Sequence, residues 1–273
     1  MPGEHVAIAV VVTSAVREEF ELLKYSFELF HNDHYEWFVR CDAASMNRLA
    51  SYPNVHCTVF TPMGDRRPAF SLSEFRHILA EKMNALGDAW SNNCWDAVLF
   101  LDADLVITSS FLDRVLGLQA DVILSPSYFP PYLEHTICQY GHFNAGFLLT
   151  RTPDFTDWWR NEFCTHTGYS DQTTLDFADK HFRVTTLGTS ANIGGWRRTG
   201  IVTFDNIPRD CMFLHVHLFQ PVSTIYGLFQ RLYALHCLEF LCRSNIPKHR
   251  VLYDEILERD RLGWYRAAMA VSL

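Results

Sequence analysis

Two carboxylates stand two residues apart in the segment Ala97-Val-Leu-Phe-Leu-Asp102-Ala-Asp104-Leu-Val-Ile107. The residues before Asp102 are apolar and β-forming, so the segment reads as a strand buried on both faces, of the kind found in mostly parallel sheets. Side chains at i and i+2 of a strand point the same way. That would bring Asp102 and Asp104 together just past the strand's end, where open α/β sheets bind ligands. Paired carboxylates repel each other unless a cation offsets them, and Asp with the oxygens of a diphosphate suits Mg²⁺ or Mn²⁺. The competing role is structural: a strand-end Asp caps the next helix, and Ser109 or Ser110 stands close enough to do the same.

The elements that must position this pair alternate between strand-like and helix-like patterns. Val6–Thr13 reads as a first strand. Arg17–Phe30 reads as a helix with an apolar stripe at Phe20, Leu23, Phe27 and Phe30. Strands are expected at Tyr35–Arg40 and Val55–Phe60. A helix is expected over Ser71–Leu86, opened by Ser71 or Ser73 with Glu74 completing a capping box, and closed by Gly87. After the carboxylate strand come a helix from about Ser110 to Leu118 and a strand at Asp121–Ser125. A proline-rich loop follows at Ser125-Pro-Ser-Tyr-Phe-Pro-Pro-Tyr. Phe143–Thr150 returns to strand, Pro153–Cys164 and Ser170–Ala178 to helix, and Cys211–Phe219 to a last strand. Gly194-Gly195-Trp196-Arg197-Arg198 reads as a mobile loop, and the chain from about Val222 as helical with a break at Ser244–Pro247. This alternation predicts a single α/β domain with a mostly parallel central sheet. Residues 1–220 would form it, and residues 221–273 would be a C-terminal helical extension packed on it.

Taken in order, Phe100-Leu-Asp102-Ala-Asp104, Phe143-Asn144-Ala145-Gly146-Phe147, Ser170-Asp171-Gln172 and Phe213-Leu214-His215 resemble the motifs of glycosyltransferases of the GT-A fold. The pattern is most similar to family 8, which includes glycogenin and bacterial lipopolysaccharide sugar transferases. The resemblance covers roughly residues 6–220. It implies a Rossmann-like GT-A domain that binds a nucleotide sugar through a divalent metal and transfers the sugar with retained configuration. Asp102, Asp104 and His215 would hold the metal. Asp102 and Ala103 would also meet the nucleotide sugar, and Asp171, Gln172 and Asn144 would lie at the reacting sugar. The pattern Ser73…Arg76 resembles the family's helix before the Asp-x-Asp motif, whose Arg reaches the donor.

The residue chemistry is compatible with these roles. Imidazole can ligate Mn²⁺ beside carboxylates, although His217 shares the expected strand face with His215 and spacing does not separate them. Asn144 can donate to and accept from hydroxyls, and Gly146 permits a close approach of backbone to sugar. Gln172 cannot act as a general base, which favours retention over inversion, with Asp171 near enough to keep inversion open. Thr13 and Ser14 after the first strand and Asp42 after the second would line the nucleotide pocket. Asp42 as an acceptor from a base N–H is consistent with uracil. The family's glycine-and-lysine segment after the His is absent, because the chain reads Leu218-Phe219-Gln220-Pro221. Arg76, Lys82, Arg197 and Arg198 are the candidate replacements at the diphosphate.

Bulk composition narrows the classes further. The chain has 273 residues, 48% hydrophobic and 20% charged, enough apolar material for a sizeable core and unlike a disordered composition. A net charge of −8 with no Lys/Arg block argues against a nucleic-acid partner. The eight cysteines form no Cys-x-x-Cys pair, which argues against structural zinc. The N-terminus lacks a basic signal-like start and no run reaches transmembrane length, so the expectation is a cytoplasmic chain with reduced thiols. The C-terminal helices would pack on the core or on a second copy of the chain. Two other functions remain to be weighed. A sugar nucleotidyltransferase would favour a Gly-rich basic loop after strand one, and Thr13-Ser-Ala-Val-Arg-Glu-Glu contains no glycine. A non-catalytic carbohydrate-binding member of the fold is opposed by the intact Asp pair.

Overall fold

The computed structural model describes residues 4–31, 34–61, 72–91, 94–129, 137, 140–166, 170–195, 207–219 and 225–272. The strands are β1 (Val6–Val12), β2 (Glu36–Cys41), β3 (Val55–Val59), β4 (Ala97–Leu101), β5 (Leu105–Ile107), β6 (Val122–Pro126), β7 (Phe143–Thr150), β8 (Val184–Thr186), β9 (Asn192–Gly194) and β10 (Phe213–His215). The α-helices are α1 (Arg17–Phe30), α2 (Ala43–Leu49), α3 (Leu72–Trp90), α4 (Leu112–Leu116), α5 (Pro153–Thr165), α6 (Asp171–Leu175), α7 (Ile225–Arg243), α8 (Pro247–Arg259) and α9 (Trp264–Ser272).

Seven strands form the central sheet in the order β3-β2-β1-β4-β7-β6-β8. All neighbours in it run parallel except β7, which is antiparallel to both β4 and β6. The expected mostly parallel α/β sheet is therefore the observed one. Alternation along β1 feeds two cores. Val6, Ile8, Val10 and Val12 face α1 and the C-terminal helices, while Ala7 and Ala9 face α3 and α5. The small alanines let α3 sit close against the strands. Tyr233, Leu238, Leu252, Ile256 and Tyr265 of α7–α9 belong to the same core as β1, so these helices pack on the sheet domain.

Some expected boundaries shift, each for a physical reason. The run Ala97–Ile107 is not one strand. Its chain turns at Asp102–Asp104, where Asp102 N–H donates to the Gly146 carbonyl (2.8 Å) and Leu105 N–H to the Asp102 carbonyl (3.3 Å). It then leaves the central sheet for a second sheet of order β5-β10-β9. Helix α3 continues past Gly87 to Trp90. A Cβ at Gly87 would lie 3.0 Å from Arg160 Nη2, so this glycine leaves room for the Arg160 guanidinium and does not end the helix. The last strand shortens to Phe213–His215, which leaves His217 beyond it. Helix α2 and strands β8 and β9 have no counterpart among the expected elements, because each is too short to show a period: seven residues in α2 and three in each strand. The expected capping by Ser71, Ser73 and Glu74 and the loop at Arg197 and Arg198 lie outside the described residues and side chains.

Aromatic packing holds the small sheet on the large one. Phe147 of β7 stacks on Phe213 of β10 with ring centroids 5.1 Å apart, and Phe111 lies 5.9 Å from each. Phe147 and Phe213 are fully buried. Phe147→Ala is expected to destabilise the protein by about 3–5 kcal/mol, the usual cost of emptying a buried aromatic site. The measurement is the urea midpoint at unchanged m-value. A shift equivalent to less than about 1 kcal/mol would show that the two sheets are held together elsewhere.

Candidate functional site

The carboxylates of Asp102 and Asp104 converge with the imidazole of His215. One ligand atom from each lies within 4.8 Å of the others. The turn after β4 supplies the two Asp residues. The antiparallel register His215↔Leu105 between β10 and β5 sets the imidazole beside Asp104. His215 Nε2 is 3.2 Å from Asp104 Oδ1 and 3.9 Å from Asp102 Oδ2. Ligands about 2.1 Å from an octahedral ion stand roughly 3 Å apart along each edge, so this set is close to the spacing a divalent ion needs. Two hard carboxylates with one imidazole suit Mn²⁺ or Mg²⁺.

Gly146 forms the floor beneath these groups. A Cβ there would stand 2.6 Å from His215 Cε1, 2.8 Å from Asn144 Oδ1 and 2.9 Å from Asp102 Oδ2. The sequence-predicted glycine is therefore needed for space around the ligands, whatever approaches from above. Its N–H donates to Asn144 Oδ1 (3.1 Å), which also accepts from Asn192 Nδ2 (3.0 Å). With its oxygen held by both donors, Asn144 turns its amide nitrogen toward Gln172 Oε1 (3.4 Å).

Negative charge at the site is offset from α3. Lys82 Nζ is 3.0 Å from Asp102 Oδ1 and 3.0 Å from Asp171 Oδ2. Burial disfavours its charge, but the two carboxylates outweigh that, and the ammonium holds its proton more tightly than a free lysine. For Asp102 burial is the largest influence and pushes its carboxyl up. Lys82 works against this, Asp104 adds to it, and the net direction is upward. Asp171 opens α6, where Ser170 and Thr173 form a reciprocal capping box, and Trp159 Nε1 donates to the Asp171 carbonyl (3.0 Å). This fixes the start of α6 so that the Asp171 side chain points at Lys82.

The structure thus brings together Asp102, Asp104, His215, Asn144, Gly146, Asp171 and Gln172, with Ala103 buried in the turn between the carboxylates. It separates the two histidines that spacing could not: His215 Nε2 faces Oδ1 of Asp104, and His217 Nδ1 faces Oδ2 at 3.0 Å. Arg76, on α3, packs against α5. Its guanidinium covers the Phe163 ring at 4.1 Å and donates to the Phe163 carbonyl. Asp42 caps α2, accepting from Ser45 N–H (2.9 Å) and Ser14 N–H (2.6 Å), so its carboxylate ties the loop after β1 to the end of β2. Thr13 begins that loop, its carbonyl accepting from Val16 N–H (3.0 Å).

Two residues at or beside the site escaped the sequence reading. Asn192 lies in β9, a strand of three residues that no local pattern marks. Glu19 lies outside the expected apolar stripe of α1, yet 19, 23, 26 and 30 follow helical spacing along the buried side.

No family model matches the sequence, and no curated protein does. Among solved structures, the galactosyltransferase LgtC in complex with donor and acceptor sugar analogs aligns with 90% of this chain and 99% of its own, at a TM-score of 0.54 and 15% identity. The glycosyltransferase GlyE of Streptococcus pneumoniae TIGR4 aligns with 91% of this chain, which spans 63% of that protein, at a TM-score of 0.52 and 16% identity. The fold is the GT-A fold. That agrees with the resemblance carried by the sequence motifs, and the Asp-x-Asp segment lies at the C-terminal end of β4 in the central sheet. Among the described residues, no helix is long and apolar enough to cross a membrane.

The floor gives the first test of the site. Gly146→Ala is expected to leave far-UV circular dichroism unchanged. It should weaken Mn²⁺ binding roughly ten- to a hundredfold, the range seen when groups behind metal ligands are disturbed. Unaltered Mn²⁺ affinity in a folded Gly146→Ala protein would place the ion away from these three ligands.

Proposed function

We propose that the protein is a metal-dependent glycosyltransferase that moves a sugar from a nucleoside-diphosphate sugar, with uridine the favoured base, to an acceptor hydroxyl with retention of configuration. The observation that carries this reading is the convergence of Asp102, Asp104 and His215 at the end of β4, ringed by Lys82, Asp171, Asn144 and Gln172. The unit that would do this is residues 1–220, with residues 221–273 as the helical extension.

A divalent ion held by Asp102, Asp104 and His215 would supply positive charge against the leaving diphosphate, and this electrostatic contribution is usually the largest in such reactions. The chain's own groups do the rest. Lys82 bridges Asp102 and Asp171 and sets positive charge between their carboxylates. Asp171 and Asn144 would orient sugar hydroxyls. Gln172 offers an amide, not a base, and the Asp171 carboxylate is engaged by Lys82 at 3.0 Å. Neither is a free base for an inverting attack, which supports retention. Thr13 and Asp42 would border the base and ribose, although Asp42 also serves as a helix cap. LgtC, which shares the fold, is a galactosyltransferase that holds donor and acceptor sugar analogs, which supports a sugar-transfer reading of this chain.

Equilibrium binding of UDP with Mn²⁺, and again after chelation, tests the reading. Binding should be strong with the ion and fall at least about tenfold without it, and slow hydrolysis of UDP-sugars should follow. UDP binding that ignores the chelator, or no turnover across a donor panel, would overturn it. Asp104→Asn keeps the side-chain shape and removes a full charge from the ligand set. Turnover should drop at least about a hundredfold with the fold intact. Near-normal activity of this variant at limiting Mn²⁺ would show that Asp104 is not a ligand.

A further inference from the structure

The metal-binding role of Asp104, proposed above, leaves one of its oxygens to be accounted for. Oδ1 faces His215, and Oδ2 is 3.0 Å from His217 Nδ1. The same Nδ1 is 3.4 Å from Glu19 Oε2, and the other Glu19 oxygen accepts from the Phe219 N–H at 3.4 Å. Glu19 is 3% exposed. It comes from the first turn of α1, far from β10 in sequence, and crosses to the chain that leaves β10.

We infer that Glu19 and His217 are positioning residues that act through Asp104: they hold its carboxylate so that Oδ1 is presented to the ion together with Asp102 and His215. Carboxylates accept and do not donate, so the nitrogen between the two must carry the proton. His217 therefore donates from Nδ1, chiefly toward the nearer Asp104 oxygen at 3.0 Å, while Glu19 Oε2 stands beside the same nitrogen at 3.4 Å and helps fix the ring's orientation. Hydrogen-bond partners placed behind a metal ligand orient it, and a ligating carboxylate is held by the donors it accepts from. Here His217 is that donor, and the effect on Asp104 is orientation. Glu19 also fixes the backbone at Phe219, so one side chain sets both the ring's position and the exit of the segment that carries it.

A structural alternative exists for Glu19. An acidic residue in a helix's first turn favours the helix dipole. Glu18 occupies the same turn with its side chain 34% exposed and pairs with Arg261 at the surface, which is what that role requires. A carboxylate serving only the dipole has no reason to be buried, since burial disfavours its charge. Glu19 is buried and aimed at His217.

The experiment titrates Mn²⁺ into the full chain with UDP present, reading free ion by electron paramagnetic resonance, alongside thermal melting. Glu19→Gln should weaken Mn²⁺ binding roughly ten- to a hundredfold, while Glu18→Gln, which removes a charge from the same turn, should leave it unchanged. His217→Leu should lose affinity as Glu19→Gln does, and His217→Asn should recover much of it, because the Asn amide can donate from near the Nδ1 position. These two keep the inference testable if Glu19→Gln melts too low to study. Equal affinities in Glu19→Gln and Glu18→Gln, or in His217→Leu and His217→Asn, would overturn it while leaving the metal site itself intact. Absence of Mn²⁺ binding in the unaltered protein would overturn the glycosyltransferase reading, and this inference with it.

Discussion

Four carboxylates, Asp102, Asp104, Asp171 and Glu19, are gathered around one end of the central sheet, and their mutual repulsion is the constraint that the surrounding structure answers. Each is met by a group from a different element. Lys82 of α3 lies between Asp102 and Asp171, His215 of β10 faces Asp102 and Asp104, and His217 lies between Asp104 and Glu19. Removing Lys82 would leave the buried Asp171 carboxylate without its cation, which costs far more than the pair itself contributes. A divalent ion at Asp102, Asp104 and His215 would complete the balance rather than create it.

That constraint explains why the small sheet exists. Asp102 must end a buried strand, and Asp104 must turn away from it to meet histidines that come from the other end of the chain. The break between β4 and β5 and the pairing of β5 with β10 achieve this in three residues. The stacked rings of Phe147 and Phe213 then hold the histidine strand at the correct height above β7. Gly146 leaves the space into which Asp102, Asn144 and His215 fold. Packing and electrostatics are here one problem, because a side chain at 146 would displace three polar groups together.

Much of this was legible in the chain. The apolar run ending in Asp102, the strand Phe143–Thr150 with Asn144 and Gly146, and the helix Arg17–Phe30 follow from local periodicity and turn chemistry, and the structure keeps them with little change. The order of the four motifs pointed to the GT-A fold. Local signals failed where tertiary contacts overrule them. Gly87 reads as a helix end, yet it sits inside α3 to admit Arg160. Asp42, expected at the nucleotide pocket, carries a further role that no local signal showed: it accepts two backbone N–H groups and caps α2.

The sequence by itself determined which residue types carry the chemistry and which strands and helices they sit on, because hydrophobic period and residue chemistry are properties of neighbours along the chain. Only the tertiary structure decided which histidine faces which oxygen, that Lys82 rather than Arg76 reaches the carboxylates, and that Glu19 belongs to the site at all. Those choices depend on the register between β5 and β10 and on how α1 and α3 lie across the sheet. Both are contacts between residues tens to hundreds of positions apart, and no local pattern encodes them.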